Sequence, residues 1–305
     1  MKRIKTIALA TMAILAVGCD NSDLGESVHH SMADTPILFS AGIHSLTTRS
    51  GHGAGTLESG EFGLFLSTDG TSDNKYNASN LKVTGTNGTW VPEQTLLWKS
   101  DTAKVGYTAY LPYKEGVSTE YPIAVSPVQT AETILAEDLL YTSATGITAK
   151  DNPNGIGLEF KHKLTQLKVV LTKATEVEGD IEVTGVQLGD CMLDGSLDIT
   201  AGTVTTGTDK GSVSMYGAKS SETAAFTDTW EALLVPQDLA LKITIKLGSD
   251  ANQRIFQYTS SGVPFGFTEG TSNILKLTIG KDKVIMGGIS AREWNEGEGG
   301  TIETD

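Results

Sequence analysis

The chain has little cysteine, proline or positive charge, and it lacks long runs with helical periodicity. Its 305 residues include 2 Cys, 8 Pro and 23 Lys and Arg against 37 Asp and Glu, for a formal net charge of −14. This acidic balance argues against nucleic acid and anionic membrane surfaces as partners. The chain does have 34 Gly, abundant Ser and Thr, and only 20% charged residues. That composition is typical of an extracellular all-β protein with many turns.

Sequence motifs for catalysis and metal binding are missing as well. The chain has no Walker A motif, no H-E-x-x-H, no C-x-x-C and no G-x-S-x-G, the spacings that cradle phosphates, hold zinc or present a nucleophile. The histidines follow no metal-ligand spacing. They are His29, His30, His44, His52 and His162. We therefore predict that the protein is not an enzyme and holds no metal or organic cofactor.

The N-terminus has the pattern of an export signal. Three basic residues within positions 2–5 precede an apolar run, Ile7–Val17, that is too short to span a bilayer. The run ends in Leu-Ala-Val-Gly-Cys, which resembles the lipobox of bacterial lipoproteins, where the signal peptidase cuts between Gly18 and Cys19 and Cys19 carries the lipid. An ordinary secretory signal with a chance cysteine is the alternative, but the segment has no A-x-A-like site. We predict a lipoprotein signal peptide over residues 1–18.

Lipidation of Cys19 would anchor the mature chain at the cell surface, in the outer membrane. It would also leave Cys191 without a disulfide partner, so packing alone has to stabilise the fold. Residues 19–36 are polar and rich in small side chains, with no periodic apolar pattern. They are predicted to form a tether between lipid and fold.

A strand pattern begins directly after the tether. The apolar residues Ile37, Phe39, Ala41 and Ile43 recur at every second position, so their side chains share one face of an extended chain. We predict a first strand over residues 37–46.

Further strand patterns recur at short spacing through both halves of the chain. They are predicted at 62–67, 81–84, 105–111, 121–125, 165–171, 181–186, 232–235, 241–247 and 275–279, with one short helix at 131–140. A cluster of helix- and strand-breaking residues at 151–155 indicates a boundary between an N-terminal domain, 37–152, and a C-terminal domain, 153–305. Many short antiparallel strands joined by hairpin turns favour an all-β fold of two β-sandwiches in series.

Six segments form a recognisable set along the mature chain. They are Ala109–Tyr113, Asp138–Tyr141, Leu158–Leu171, Leu234–Gln237, Phe267–Ile279 and Ile289–Trp294. The run F-x-H-x-L-x-Q-L-x-V within Leu158–Leu171 is the most distinctive. In their order and spacing these segments resemble the fimbrillin family, lipoproteins of the Bacteroidetes that form type V pili. The resemblance implies two transthyretin-like β-sandwich domains and a structural or accessory pilus subunit that supports cell adhesion.

The resemblance also implies a route of assembly. A trypsin-like, Arg-specific protease cuts after an arginine behind the first strand, the strand leaves, and the C-terminal strand of another pilus subunit, a second copy or a paralogue, fills the groove. Arg49 is the only Lys or Arg between Cys19 and Lys75, so the predicted cut lies between Arg49 and Ser50. A solvated loop arginine is the alternative reading. Cleavage would make the lipid temporary and move the subunit from the outer membrane to the fimbrium.

The candidate donor strand lies within residues 284–305. Its apolar anchors are Val284, Ile285, Ile289 and Trp294. The alternative is that this segment is an ordinary member of its own sheet, which is the default for a terminal strand.

A surface glycan-binding lipoprotein is the alternative function, because the chain has four tryptophans and a β-sandwich style. The tryptophans are Trp90, Trp98, Trp230 and Trp294. Each lies beside apolar strand residues, where core packing is the commoner use of an indole ring. An adhesive subunit would also contact a host or bacterial surface ligand. The sequence leaves open whether the subunit forms the stalk, the tip or the anchor of a pilus.

Overall fold

The computed structural model describes residues 31–43, 55–179, 181–218, 227–248, 254–260 and 264–294. Within these ranges the chain is almost entirely β-structure, so the predicted all-β class is confirmed. The elements are β1 (Phe39–Ile43), β2 (Gly55–Thr56), β3 (Gly60–Thr68), β4 (Ala78–Thr86), β5 (Thr89–Pro92), β6 (Val105–Leu111), β7 (Glu120–Ala124), α1 (Ala131–Glu137), β8 (Leu140–Ile147), β9 (Ile156–His162), β10 (Thr165–Lys173), β11 (Val183–Met192), β12 (Asp194–Asp198), β13 (Val204–Thr206), β14 (Lys210–Ser214), β15 (Tyr216–Ala218), β16 (Thr227–Leu234), β17 (Gln237–Leu239), β18 (Lys242–Leu247), β19 (Arg254–Thr259), β20 (Phe265–Phe267), β21 (Thr271–Ile279) and β22 (Val284–Glu293).

An eight-stranded sheet forms the first half of the fold. Its order is β2-β1-β5-β4-β3-β6-β8-β9, and β9 also pairs with β1, so the strand order closes on itself. Alternate residues of each strand point into the enclosed space, and on β3 these are Phe62, Leu64 and Leu66, all buried. The ring of Phe62 lies against those of Trp90 and Phe160, with centroids 5.1 Å and 5.7 Å apart. Strands from all around the sheet therefore share this first core.

Strand β9 belongs to the first sheet although it follows the breaker cluster at 151–155. It pairs with β1 from Ile156 to Phe160 and with β8 near its own end. A division at residue 152 would separate β9 from these partners. The chain leaves the first sheet only after β9 ends at His162, because β10, which begins at Thr165, belongs to a different sheet.

Two further sheets pack face to face in the second half. A five-stranded sheet has the order β15-β16-β10-β21-β22, and a four-stranded sheet has the order β14-β11-β18-β19. Their inner faces meet in one core, to which β10 contributes Leu167 and Val169 and β11 contributes Val186 and Leu188. This is the predicted β-sandwich. The prediction of antiparallel strands needs one amendment, because β10 pairs parallel with β21 and β1 pairs parallel with β9.

A third core joins strands of the two halves. It includes Tyr110 of β6, Ile134 of α1, Leu233 of β16 and Trp294 after β22. Since residues from both halves share it, the number of separately folding domains stays a prediction.

The short helix forms where its sequence predicts it but ends earlier. Thr130 caps its start, because the Thr130 hydroxyl accepts a hydrogen bond from the backbone N–H of Thr133 at 3.2 Å and the Thr133 hydroxyl accepts one from the N–H of Thr130 at 2.8 Å. Asp138 already has extended backbone angles. Its carboxylate lies 2.8 Å from Nδ1 of His162.

Three further observations concern the described residues only. They contain no helix that is both long enough and apolar enough to span a bilayer. They contain no group of three His, Cys, Asp or Glu side chains placed to hold a metal ion. Cys191 is a buried free thiol, and burial raises its pKa to about 12, which keeps the thiol protonated and unreactive.

Candidate functional site: the first strand and its groove

The first strand fills the core with one face and meets solvent with the other. The side chains of Ile37, Phe39, Ala41 and Ile43 are between 3% and 7% exposed, whereas Leu38 is 62% exposed. The alternation predicted from the sequence is therefore confirmed. Burial of apolar side chains at every second position is what fixes the register of a strand in its groove.

Main-chain hydrogen bonds hold the first strand on both flanks. On one side β1 runs parallel to β9 through five residue pairs, from Phe39 opposite Ile156 to Ile43 opposite Phe160. On the other side the contacts are divided among β5, β2 and the segment after β5. The N–H of Ile37 donates to the carbonyl oxygen of Leu96 at 2.8 Å. The groove around β1 is therefore lined by backbone donors and acceptors that any extended chain can use.

A glycine allows the close approach between β1 and the start of β9. Gly155 has a φ of +104°, and a Cβ atom at this position would lie 2.4 Å from the carbonyl oxygen of Leu38. The same carbonyl oxygen accepts a hydrogen bond from the N–H of Ile156 at 2.8 Å. Only glycine fits both the backbone angle and the space.

Polar contacts fasten the chain just before the first strand. The hydroxyl of Tyr76 donates to a carboxylate oxygen of Asp34 at 2.7 Å, and the ammonium group of Lys75 lies 3.3 Å from the same oxygen. The hydrogen bond from Tyr76 and then that from Lys75 lower the pKa of Asp34 below its usual value. The N–H of Asp34 donates to the carbonyl oxygen of Trp98 at 2.7 Å. Ordered contacts thus begin ahead of Ile37, within the segment predicted to be a tether.

Several predicted processing residues lie outside the described residues. They are Gly18 and Cys19 of the predicted signal cleavage and lipidation site, and Arg49 and Ser50 of the predicted protease site. The described chain ends at Ile43 and resumes at Gly55, where β2 pairs with the end of β1. Cleavage and lipidation at these residues stay predictions.

The candidate donor strand β22 forms the edge of the five-stranded sheet. It pairs antiparallel with β21 along its whole length and has no strand on its other flank within the described residues. Val284 and Ile289 are only partly buried against the second core, and Ile285 is 46% exposed. Among the described residues, the apolar side chains of β22 therefore fill no deep groove.

Trp294 anchors the end of this edge strand. Its indole ring is fully buried and stacks on the imidazole of His162, with centroids 4.2 Å apart and an angle of 4° between the planes. The N–H of Trp294 donates to the carbonyl oxygen of Gly270 at 2.7 Å. His162 ends β9 and is held by Asp138. This stack connects the last strand to the strand that lies beside β1.

Two contacts of the first strand are not visible in the sequence. Gly155 stands out there only as the last residue of a breaker cluster, and nothing local indicates that it faces Leu38 across the sheet. Asp34 and Tyr76 are 42 residues apart, and a single sequence gives no signal for such a pair.

Comparison with known proteins identifies the family. A sequence model described as fimbrillin-like matches residues 48–294. No curated protein matches the chain. A solved structure from Bacteroides ovatus ATCC 8483, provisionally assigned to cell adhesion, has a TM-score of 0.66 and 16% identity, and the match covers 87% of this chain and 100% of that chain.

A second solved structure with the same assignment, from Bacteroides uniformis ATCC 8492, has a TM-score of 0.61 and 17% identity. This match covers 85% of the present chain and 98% of the other. At these identities the two structures establish a shared fold. The family match extends over most of the sequence, and the chain therefore belongs to the fimbrillin-like family.

Proposed function

We propose that this protein is a structural or accessory subunit of a pilus that polymerises by exchanging its first strand for the C-terminal strand of a neighbour. The observation that carries the proposal is β1, whose four inward side chains are buried although the strand stands next to the N-terminal end of the fold. Loss of β1 would leave an apolar groove lined by unpaired backbone groups. A strand from another subunit would fill the apolar groove and pair with the exposed backbone groups.

The proposed donor is β22 together with the residues after it. A ten-residue strand is longer than β1, which has five residues, so it is long enough to fill the same groove. The half-buried side chains of β22 itself lose less apolar burial on leaving their own sheet than they would gain in a closed core. Trp294, which is fully buried, would have to leave its site as well. Partners are then other pilus subunits, either copies of this chain or paralogues.

Proteolysis after Arg49 is the proposed trigger. An Arg-specific, trypsin-like protease would separate β1 from β2, and hence the lipidated N-terminus from the rest of the subunit. Cys19 would hold the precursor at the outer membrane until that cut, after which the subunit would enter the fimbrium. Adhesion is proposed from the family and from the assignment of the two solved structures.

Limited digestion with an Arg-specific protease tests this proposal. The purified chain should give a new N-terminus at Ser50 and ladders that resist SDS. The variant Arg49→Ala should remain uncut there and monomeric. The matched control Arg254→Ala, which changes an arginine at the start of β19, should be cut and should polymerise like the parent. A cleaved chain that stays monomeric at every concentration would refute the exchange.

A glycan platform built from all four tryptophans has no support. Trp90, Trp98 and Trp294 are each 5% exposed or less and belong to the cores. Trp230 differs from these three, since it is only half-buried.

A further inference from the structure

We infer that a cleft at Trp230 binds one sugar ring of a surface glycan. The inference deepens the proposed adhesive function by naming a ligand class, and it uses no part of the strand-exchange groove. The cleft has a volume of about 230 Å³ and lies at the corner where the chain passes from β14 to β15 and so from the four-stranded to the five-stranded sheet.

The aromatic wall of the cleft is held in a fixed orientation. Trp230 packs partly against the second core and also lines the cleft. Its indole N–H donates to a carboxylate oxygen of Asp228 at 3.2 Å. Gly217 lies opposite Trp230 on β15, and a Cβ atom there would be 3.0 Å from the six-membered ring. The glycine therefore lets the ring lie flat over the neighbouring strand.

A row of uncharged polar side chains lines the same cleft. Ser214, Gln187 and Thr244 are directly opposite one another on the adjacent strands β14, β11 and β18, so their side chains project from the same face of the sheet. All three line the cleft and are half-buried. Among the described residues, none of these three side chains has a hydrogen-bond partner. They offer hydroxyl and amide groups that are free to bind a ligand.

This combination of groups suits a sugar better than other ligands. An indole ring together with hydroxyl and amide groups in one cleft suits the apolar face and the hydroxyl groups of a pyranose. Phosphate ligands are disfavoured, because Lys246 is the one cationic residue lining the cleft and the whole chain carries a net charge of −14. The volume is also below the range of roughly 300–1,000 Å³ that is typical for drug-sized ligands, so a single ring is the expected occupant.

Nuclear magnetic resonance on the uncleaved monomer tests the inference. Methyl glycosides of glucose, galactose, mannose, fucose and N-acetylglucosamine are added at millimolar concentrations while the indole N–H signals are recorded. The signal of Trp230 is assigned as the one that disappears in Trp230→Phe. At least one glycoside should shift this signal in a saturable way and leave the signals of the three core tryptophans in place.

Two variants and a matched control locate the binding. Gln187→Ala and Thr244→Val should each weaken the affinity at least tenfold, with unchanged thermal unfolding. Gln257→Ala changes an exposed residue that lies opposite Thr244 on β19 and does not line the cleft, so it should bind like the parent.

The inference is overturned if none of the five glycosides moves the Trp230 signal. It is equally overturned if binding survives unchanged in both cleft variants. Because the test uses monomer that has not been cleaved, either result leaves the polymerisation proposal standing. Failure of the chain to polymerise would in turn leave the sugar site untouched.

Discussion

The first and the last strands of the described fold are held in different ways. β1 buries four side chains in the first core and has hydrogen-bonding neighbours on both flanks. β22 has one flanking strand among the described residues and only partly buried inward side chains, and its firm contact is Trp294 at its end. The first strand is therefore part of a closed core, whereas the last strand is an edge strand that is paired on one flank and anchored at its end by Trp294.

This difference corresponds to two roles in assembly. Removal of β1 creates a groove that binds another strand strongly, because apolar side chains and backbone hydrogen-bonding groups are exposed together. An edge strand that is paired on one flank only can leave its sheet at lower cost than a strand paired on both flanks, and so can act as a donor. The comparison predicts that substitutions of inward residues in β1 have larger effects on stability than equivalent substitutions in β22.

The largest effect is expected from Phe39→Ala. Its ring is almost fully buried in the first core, and truncation of a buried Phe costs about 3–5 kcal/mol in free energy of unfolding. The matched substitution Ile289→Ala, at an inward but only half-buried position of β22, should lower that free energy clearly less. Urea denaturation followed by circular dichroism measures both. Equal effects of the two substitutions would contradict the difference proposed between β1 and β22.

Trp294→Ala should destabilise the protein by about 3 kcal/mol, because it empties a fully buried indole site against His162. The loss should be local. Hydrogen exchange is expected to speed up in β22 and to remain slow in β1. Unchanged protection of β22 would show that pairing with β21, rather than the tryptophan, holds the last strand.

Gly155→Ala should weaken the parallel pairing of β1 with β9 by about 2 kcal/mol, since the new Cβ would collide with the carbonyl oxygen of Leu38 at a strained φ. Hydrogen exchange of Leu38 to Ile43 measures the effect. The control Gly146→Ala also changes a glycine with positive φ, but one with no atom within 4 Å of the added Cβ. It should leave exchange in β1 unaltered, and equal loosening by both variants would mean that backbone angle alone is responsible.

The smallest effect is expected at Asp34. Its folded-state pKa is lowered, so its ionised carboxylate stabilises the fold above the ordinary pKa of about 4, and this contribution is lost as the pH falls through the lowered value. Asp34→Asn should therefore unfold at slightly lower urea than the parent at neutral pH. As the pH falls below the ordinary pKa and through the lowered one, the difference should shrink. A difference that grows with acidity would contradict the assignment.

The alternating pattern of the first strand could be read from the sequence because a strand with one buried face leaves a period-two signature. The segment from Ile37 to Ile43 shows this signature, so its strand and its buried face can be predicted from the local sequence alone. The start of α1 is equally local, since the capping residue Thr130 stands three positions before Thr133.

Features that depend on distant parts of the chain could not be read in this way. Only two residues separate β9 from β10 within the run Leu158–Leu171, yet these strands belong to different sheets. The parallel pairing of β1 with β9 and the stack of Trp294 on His162 join positions more than a hundred residues apart. Periodicity shows which face of a strand is buried but not which strand lies beside it.

The central claim is that β1 leaves the subunit when the subunit polymerises. The most direct test is the intact mass of the polypeptides recovered from purified, SDS-resistant polymers. The account predicts subunits that begin at Ser50, with the N-terminal fragment containing Ile37 to Ile43 absent. Polymers in which this fragment is retained in equal amount with the rest of the chain would contradict it.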